Sequence, residues 1–140
     1  MRSILICMII AAGLYPAVVF AAKLEARIDI SDQKMRIYQN GLLRHSWKIS
    51  TARRGYVTPI GSYKPTRMHK MWHSRKYNMS PMPHSIFFKG GYAVHGTNEI
   101  KHLGRPASHG CIRLHPDNAR ALFRMVERVG RANATIRIRR

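Results

Sequence analysis

Cys111 stands in the run Ala107-Ser108-His109-Gly110-Cys111-Ile112-Arg113-Leu114 and is one of two cysteines in a chain of 140 residues. His109 lies two residues before it, and upstream a second histidine opens the polar run His95-Gly96-Thr97-Asn98. A thiol attacks as the thiolate, so a histidine able to take its proton is the minimum equipment for covalent catalysis. Acyl transfer also needs backbone N–H groups aimed at the developing oxyanion, and Gly110 leaves room for that approach. On an extended backbone the Arg113 side chain returns to the face of Cys111, where its forked cation suits a substrate carboxylate. The alternative for Arg113 is a salt bridge to an acid at the sheet edge.

The two motifs together, His95-Gly96-Thr97 and Ser108-His109-Gly110-Cys111-Ile112-Arg113, resemble the L,D-transpeptidases of the YkuD-type catalytic domain. The family pattern is a histidine, a short spacer, then Ser/Thr-His-Gly-Cys. Every position matches apart from Arg113, where many members carry Asn. The resemblance runs from about Leu24 to the C-terminus.

It implies that Cys111 is the nucleophile and His95 its base, oriented by the carbonyl of Gly96. Ser108, His109 and Gly110 would shape the cysteine loop, with the N–H groups of Gly110 and Cys111 holding the oxyanion. The implied substrates are peptidoglycan stem peptides. Cys111 would attack the carbonyl of the third stem residue, release D-alanine and form a thioester, and a second stem's amine would take the acyl group in a 3→3 cross-link. Water as acceptor would make the protein an L,D-carboxypeptidase, and a protein acceptor would make it an enzyme that attaches envelope proteins to peptidoglycan or cleaves them from it. Carbapenem-type β-lactams are the implied covalent inhibitors. No cofactor or metal is called for. The spacing His69-x-x-x-His73 lacks a third ligand nearby and is not read as a zinc site. From a different class, an inactive basic wall-binding protein would have no need for an activated thiol, and an alkylation rate no faster than that of free cysteine would favour it.

The elements that must position these residues are mostly strands. Ala26 to Ile30 alternates apolar and polar, Lys34–Gln39 and Leu42–Ser50 read as two more strands, and Asn40-Gly41 between them is a strong hairpin signal. Thr58-Pro59-Ile60-Gly61 reads as a turn, followed by an extended stretch over residues 62–66. Residues 68–83, rich in Met, Trp and His, are the least regular and are expected to form a flexible flap. Residues 86–89 and 91–95 read as strands, with His95 at an exposed strand end. After the cysteine, Pro116 opens a helix over Pro116–Val129, with apolar residues at helical spacing and Gly130 ending it. Residues 135–138 close the chain as a strand. The expected fold is mainly β, a sandwich or open barrel of mixed sheets with one main helix after the cysteine, and the resemblance implies the same.

Residues 1–21 read as a secretory signal peptide: Arg2, an apolar run from Ile4 to Phe20 broken by Gly13 and Pro16, and a small-residue end. That run is shorter than the ~20 residues a spanning helix needs, so no stable membrane span is expected after processing. Residues 22–140 then form a single catalytic domain in the periplasm or cell envelope, with Cys111 as its only thiol. The chain holds 25 Lys and Arg against 6 Asp and Glu, a formal net charge of +19. Removing the leader takes away one cation, Arg2. Such a chain attracts polyanions. The cations are dispersed and no nucleic-acid-binding signature accompanies them, which favours anionic envelope polymers over nucleic acid.

Overall fold

The computed structural model describes residues 13–17 and 22–140, so most of the leader expected over residues 1–21 falls outside the described residues. Nine strands and one long helix follow: β1 (Leu24–Asp29), β2 (Lys34–Gln39), β3 (Leu42–Ser50), β4 (Gly61–Tyr63), β5 (Arg67–Ser74), β6 (Ser80–Lys89), β7 (Tyr92–Gly96), β8 (Ile112–Leu114), α1 (Pro116–Val129) and β9 (Ala134–Arg139). They join in one continuous mixed sheet of order β4-β9-β1-β2-β3-β8-β7-β6-β5. The fold is the mainly β architecture with a single main helix that the sequence predicts. No helix among the described residues is long and apolar enough to cross a membrane.

Alternation explains the first half. Leu24, Ala26 and Ile28 of β1, Met35 and Ile37 of β2, and Ala134, Ile136 and Ile138 of β9 are buried, while Arg27 and Arg137, paired side by side in the parallel β1–β9 ladder, face outward. The β2–β3 hairpin turns at Asn40 and Gly41, both at positive φ, as a tight two-residue turn requires.

β3 carries the sheet from one half to the other. It pairs with β2 over most of its length but with β8 only through Ile49–Leu114 and Ser50–Arg113. The second half curls over, and one apolar core unites Ile28, Ile37 and Ile136 with Ile86, Val94, Ile112 and Leu114. Helix α1 completes it with Ala119, Leu122, Phe123 and Val126. It starts where expected: Pro116 occupies the first turn, and the His115 ring accepts a hydrogen bond from the Asp117 N–H at 3.1 Å. The Gly130 N–H donates to the Val126 carbonyl at its end.

Residues 68–83 depart from the expected irregular flap. They form most of a β5–β6 hairpin in register from Arg67–Phe87 to Ser74–Ser80. The turn lacks glycine and uses Asn78 and Met79 in left-handed conformation instead. Pro81 and Pro83 fit because β7 pairs only with the far end of β6, from Ile86 to Lys89, so this end has a neighbour on one side alone.

Candidate active site

Two parallel strands bring the two motifs together. β7 and β8 pair in the register Val94–Ile112, His95–Arg113 and Gly96–Leu114, which sets Cys111 beside Ala93. Val94, Ile112 and Leu114 point into the core. Alternation therefore turns Ala93, His95, Cys111 and Arg113 to the opposite face. Cys111 packs there against a second apolar cluster of Met82, Phe87, Ala93 and Trp72, built largely by the β5–β6 hairpin.

His95 is 6 % exposed. Its Nδ1 lies 2.7 Å from the Gly96 carbonyl oxygen. A carbonyl only accepts, so Nδ1 carries the proton and Nε2 keeps its lone pair. Burial, against the pull of that hydrogen bond and together with the positive charge of Arg113, pushes the imidazole down to about 4. His95 is therefore neutral at physiological pH, in the tautomer a general base requires.

Cys111 is half-buried, its Sγ directed at the Gly91 carbonyl at 3.8 Å. Burial pushes the thiol above its ordinary value, while the Ala93 backbone N–H and the charge of Arg113 act in the opposite sense. The resting site is a neutral thiol with a neutral imidazole. Desolvation disfavours both charged forms.

The loop before the nucleophile is braced at every turn. Ser108, fully buried, accepts from the Gly110 N–H at 3.0 Å and donates to the Cys111 carbonyl at 2.6 Å. Thr58 donates to the Gly110 carbonyl at 2.8 Å and accepts from the Ala52 N–H. Gly110 sits at φ 134, and a Cβ there would come within 2.6 Å of the Tyr92 ring and 2.8 Å of the Val57 carbonyl. Only glycine fits. The Gly110 N–H is thereby engaged by Ser108 inside the loop.

His109 contributes a ring to an aromatic wall. It stacks on Tyr77 at 4.1 Å and meets Tyr56 edge-on at 4.7 Å. Burial and the nearby cations Arg53, Arg113 and Lys76 lower its pKa. Arg113 donates to Glu99 at 3.0 Å, and Glu99 also meets His102 at 3.3 Å. The salt bridge that was the alternative for Arg113 is thus present, beside the nucleophile. His69 packs against Trp72 and Phe87.

Thr58, Tyr56 and Tyr77 join the site although the sequence does not mark them as site residues. Thr58 carried a signal, its Thr-Pro turn, but nothing in the chain order tied that turn to a loop fifty residues away. The two tyrosines carried none.

Residues 25–136 match the model of the L,D-transpeptidase catalytic domain, YkuD. No curated protein sequence matches significantly. Among solved structures, an L,D-transpeptidase from Mycobacterium smegmatis aligns at TM-score 0.74 and 21% identity, over 85% of this chain and 59% of that one. An LD transpeptidase in complex with imipenem aligns at 0.74 and 23%, over 84% and 59%. L,D-transpeptidase 3 from Mycobacterium tuberculosis, in complex with a faropenem-derived adduct, aligns at 0.72 and 18%, over 85% and 61%. The chain spans about three-fifths of the length of these proteins. At such identities the likeness is one of fold.

Proposed function

The chain belongs to the YkuD family of L,D-transpeptidase catalytic domains, and from that membership we propose that it is an exported cysteine acyltransferase acting on peptidoglycan stem peptides in the periplasm or cell envelope. The observation that carries the reading is the hydrogen bond from His95 Nδ1 to the Gly96 carbonyl, on the strand next to Cys111. It leaves Nε2 free to accept a proton.

Because both groups rest neutral, the thiol proton passes to His95 Nε2 as sulfur attacks. A C–S bond forms at the carbonyl of the third stem residue. The oxyanion takes the Cys111 N–H, and the His95 proton moves to the departing nitrogen as the C–N bond to D-alanine breaks. An amine of a second stem then attacks the thioester; its proton returns through His95 to the sulfur, and a 3→3 cross-link results. Arg113 exchanges Glu99 for a substrate carboxylate in this scheme. The aromatic wall of His109, Tyr77 and Tyr56 lines one side of the approach.

Carbapenem-type β-lactams are expected to acylate Cys111 by the same steps, with the strained amide in place of the stem's peptide bond. The test is a mass spectrum of disaccharide-tetrapeptides incubated with the protein. Loss of D-alanine with a cross-linked tripeptide–tetrapeptide dimer as product supports transpeptidation, whereas a tripeptide alone assigns carboxypeptidase activity. Unchanged substrate and no β-lactam adduct would sink the enzyme reading in favour of a wall-binding protein.

A further inference from the structure

Residues 33–98 contain no Asp or Glu, and the first acid after them, Glu99, is engaged by Arg113 and His102. Strands β4 to β7, which build the surroundings of Cys111, therefore carry cations that their own sequence cannot neutralise. Lys70, Arg75, Lys76 and Lys89 are exposed to water, which screens them. Arg67 is half-buried.

Register places Arg67 on the face of the nucleophile. It pairs with Phe87, Phe87 pairs with Ala93, and Ala93 lies beside Cys111, a single row across β5, β6, β7 and the start of β8. Residues directly opposite one another share a face of a sheet, and Phe87, Ala93 and Cys111 belong to one apolar cluster with Trp72. The Phe87 and Trp72 rings meet edge to face at 5.6 Å. The Arg67 guanidinium lies in the corner they make, 3.6 Å from the Phe87 centroid and 4.6 Å from that of Trp72. The row spans three strand spacings of ~4.8 Å, and leaning over Phe87 brings the cation one spacing closer, to about 10 Å from Cys111.

Stacking occupies the flat faces of a guanidinium and leaves its N–H edge free to bind. One Nη of Arg67 lies 3.4 Å from His69 Nε2, and no ion pair among the described residues includes Arg67. A cation held flat against two rings, half out of water and without an acid, is one half of a bidentate pair with a carboxylate. We infer that Arg67 determines donor specificity: it receives a carboxylate of the acyl donor about 10 Å from the carbonyl that Cys111 attacks, across the sheet, whereas Arg113 lies along the strand. Such a carboxylate sits either on a neighbouring residue of the donor or at the end of a long side chain of the attacked one. The inference rests on the peptidoglycan reading above and deepens it, since donors amidated at that position become poor substrates.

The test measures alkylation of Cys111 by maleimidocaproic acid and by its carboxamide, reagents of one length that differ in charge, with the modified peptide quantified by mass spectrometry. The acid should react about tenfold faster, the worth of one charge-assisted pair. Arg67→Met keeps an apolar cover over Phe87 and should reduce that ratio to about twofold, what the general positive field of the chain supplies. Arg75→Gln, which removes an exposed cation from the same hairpin, should leave the ratio unchanged. Because the ratio is taken within one protein, changes in thiol reactivity cancel, and a purely structural Arg67 would not move it. Equal rates for acid and amide in the native chain, a ratio that survives Arg67→Met, or an equal fall in Arg75→Gln would overturn the inference. Tetrapeptide donors amidated at the second residue, or at the side-chain carboxylate of the third, then show which carboxylate Arg67 takes, by which of them is released more slowly. An acid preference without D-alanine release keeps the Arg67 site and removes the transpeptidase. Release from both amidated donors as fast as from the free acid removes the site and keeps the transpeptidase.

Discussion

The two sides of Cys111 are built on opposite plans. Along the chain its loop is closed: Ser108 and Thr58 spend their hydroxyls on Gly110 and Cys111, and His95 is buried and oriented by a neighbouring carbonyl. Across the sheet the Arg67 corner is open, a cation stacked on two rings that holds no acidic partner among the described residues. Bond-making needs groups held still and dry so that charge develops against a prearranged field. Binding a carboxylate needs accessible charge, and a stacked guanidinium supplies it already oriented.

If that contrast is right, damage on the closed side destroys chemistry. Cys111→Ala should abolish D-alanine release while leaving the fold intact, since the loop is held by Ser108, Thr58 and Gly110 and not by sulfur. Release by the purified, folded variant would remove the nucleophile assignment.

His95→Gln should slow β-lactam acylation by ~10²–10⁴. The same change tests burial. His95 is pushed down to about 4 in the folded chain against ~6.5 when unfolded, so the unfolded state binds the proton more readily. The neutral ring's contribution is present above pH ~6.5 and is lost as pH falls toward 4, roughly 3 kcal/mol in all. Urea unfolding across that range should show a steeper slope in the native chain than in the variant, where His109 and His84, also lowered on folding, keep part of it; equal slopes would mean that His95 is not buried neutral.

Arg113 stands between the two plans, a cation already paired with Glu99, and Arg113→Gln should lower kcat/KM for tetrapeptide donors ten- to a hundredfold, the ~1.4–2.7 kcal/mol of a charge-assisted pair. Alkylation of Cys111 by a small neutral reagent should fall much less. Equal falls would make Arg113 a support of the cysteine loop, and no change in either would end the carboxylate role.

Ser108→Ala should have the smallest effect on rate, about tenfold in acylation, with a stability loss of ~1–3 kcal/mol from the stranded Gly110 N–H and Cys111 carbonyl. A melting temperature equal to that of the native chain would show that the loop is not braced as described. Alkylation alone no longer separates enzyme from binder: burial raises the thiol, so slow alkylation at neutral pH is compatible with a fast acyl transferase.

Local chemistry made much of this molecule legible in one dimension. Alternation marked β1 and β9, Asn40-Gly41 marked the hairpin of β2 and β3, and Pro116 with Gly130 bounded the helix, because each is set by neighbours along the chain. The β5–β6 hairpin was not legible. Its turn has no glycine, its prolines argue against a strand, and it is held by cross-strand partners the sequence does not announce.

The site divides in the same way. Residue type and order determined which thiol, which histidine and which arginine could meet, and the Gly before the cysteine foretold a crowded backbone. Tertiary structure alone decided their states. The parallel pairing of β7 with β8 sets His95 beside Arg113, burial makes both histidine and thiol neutral, Ser108 engages the Gly110 N–H, and Glu99 reaches Arg113. Protonation and hydrogen-bond availability depend on solvent exclusion and on partners distant in sequence, and these exist only once the sheet has closed.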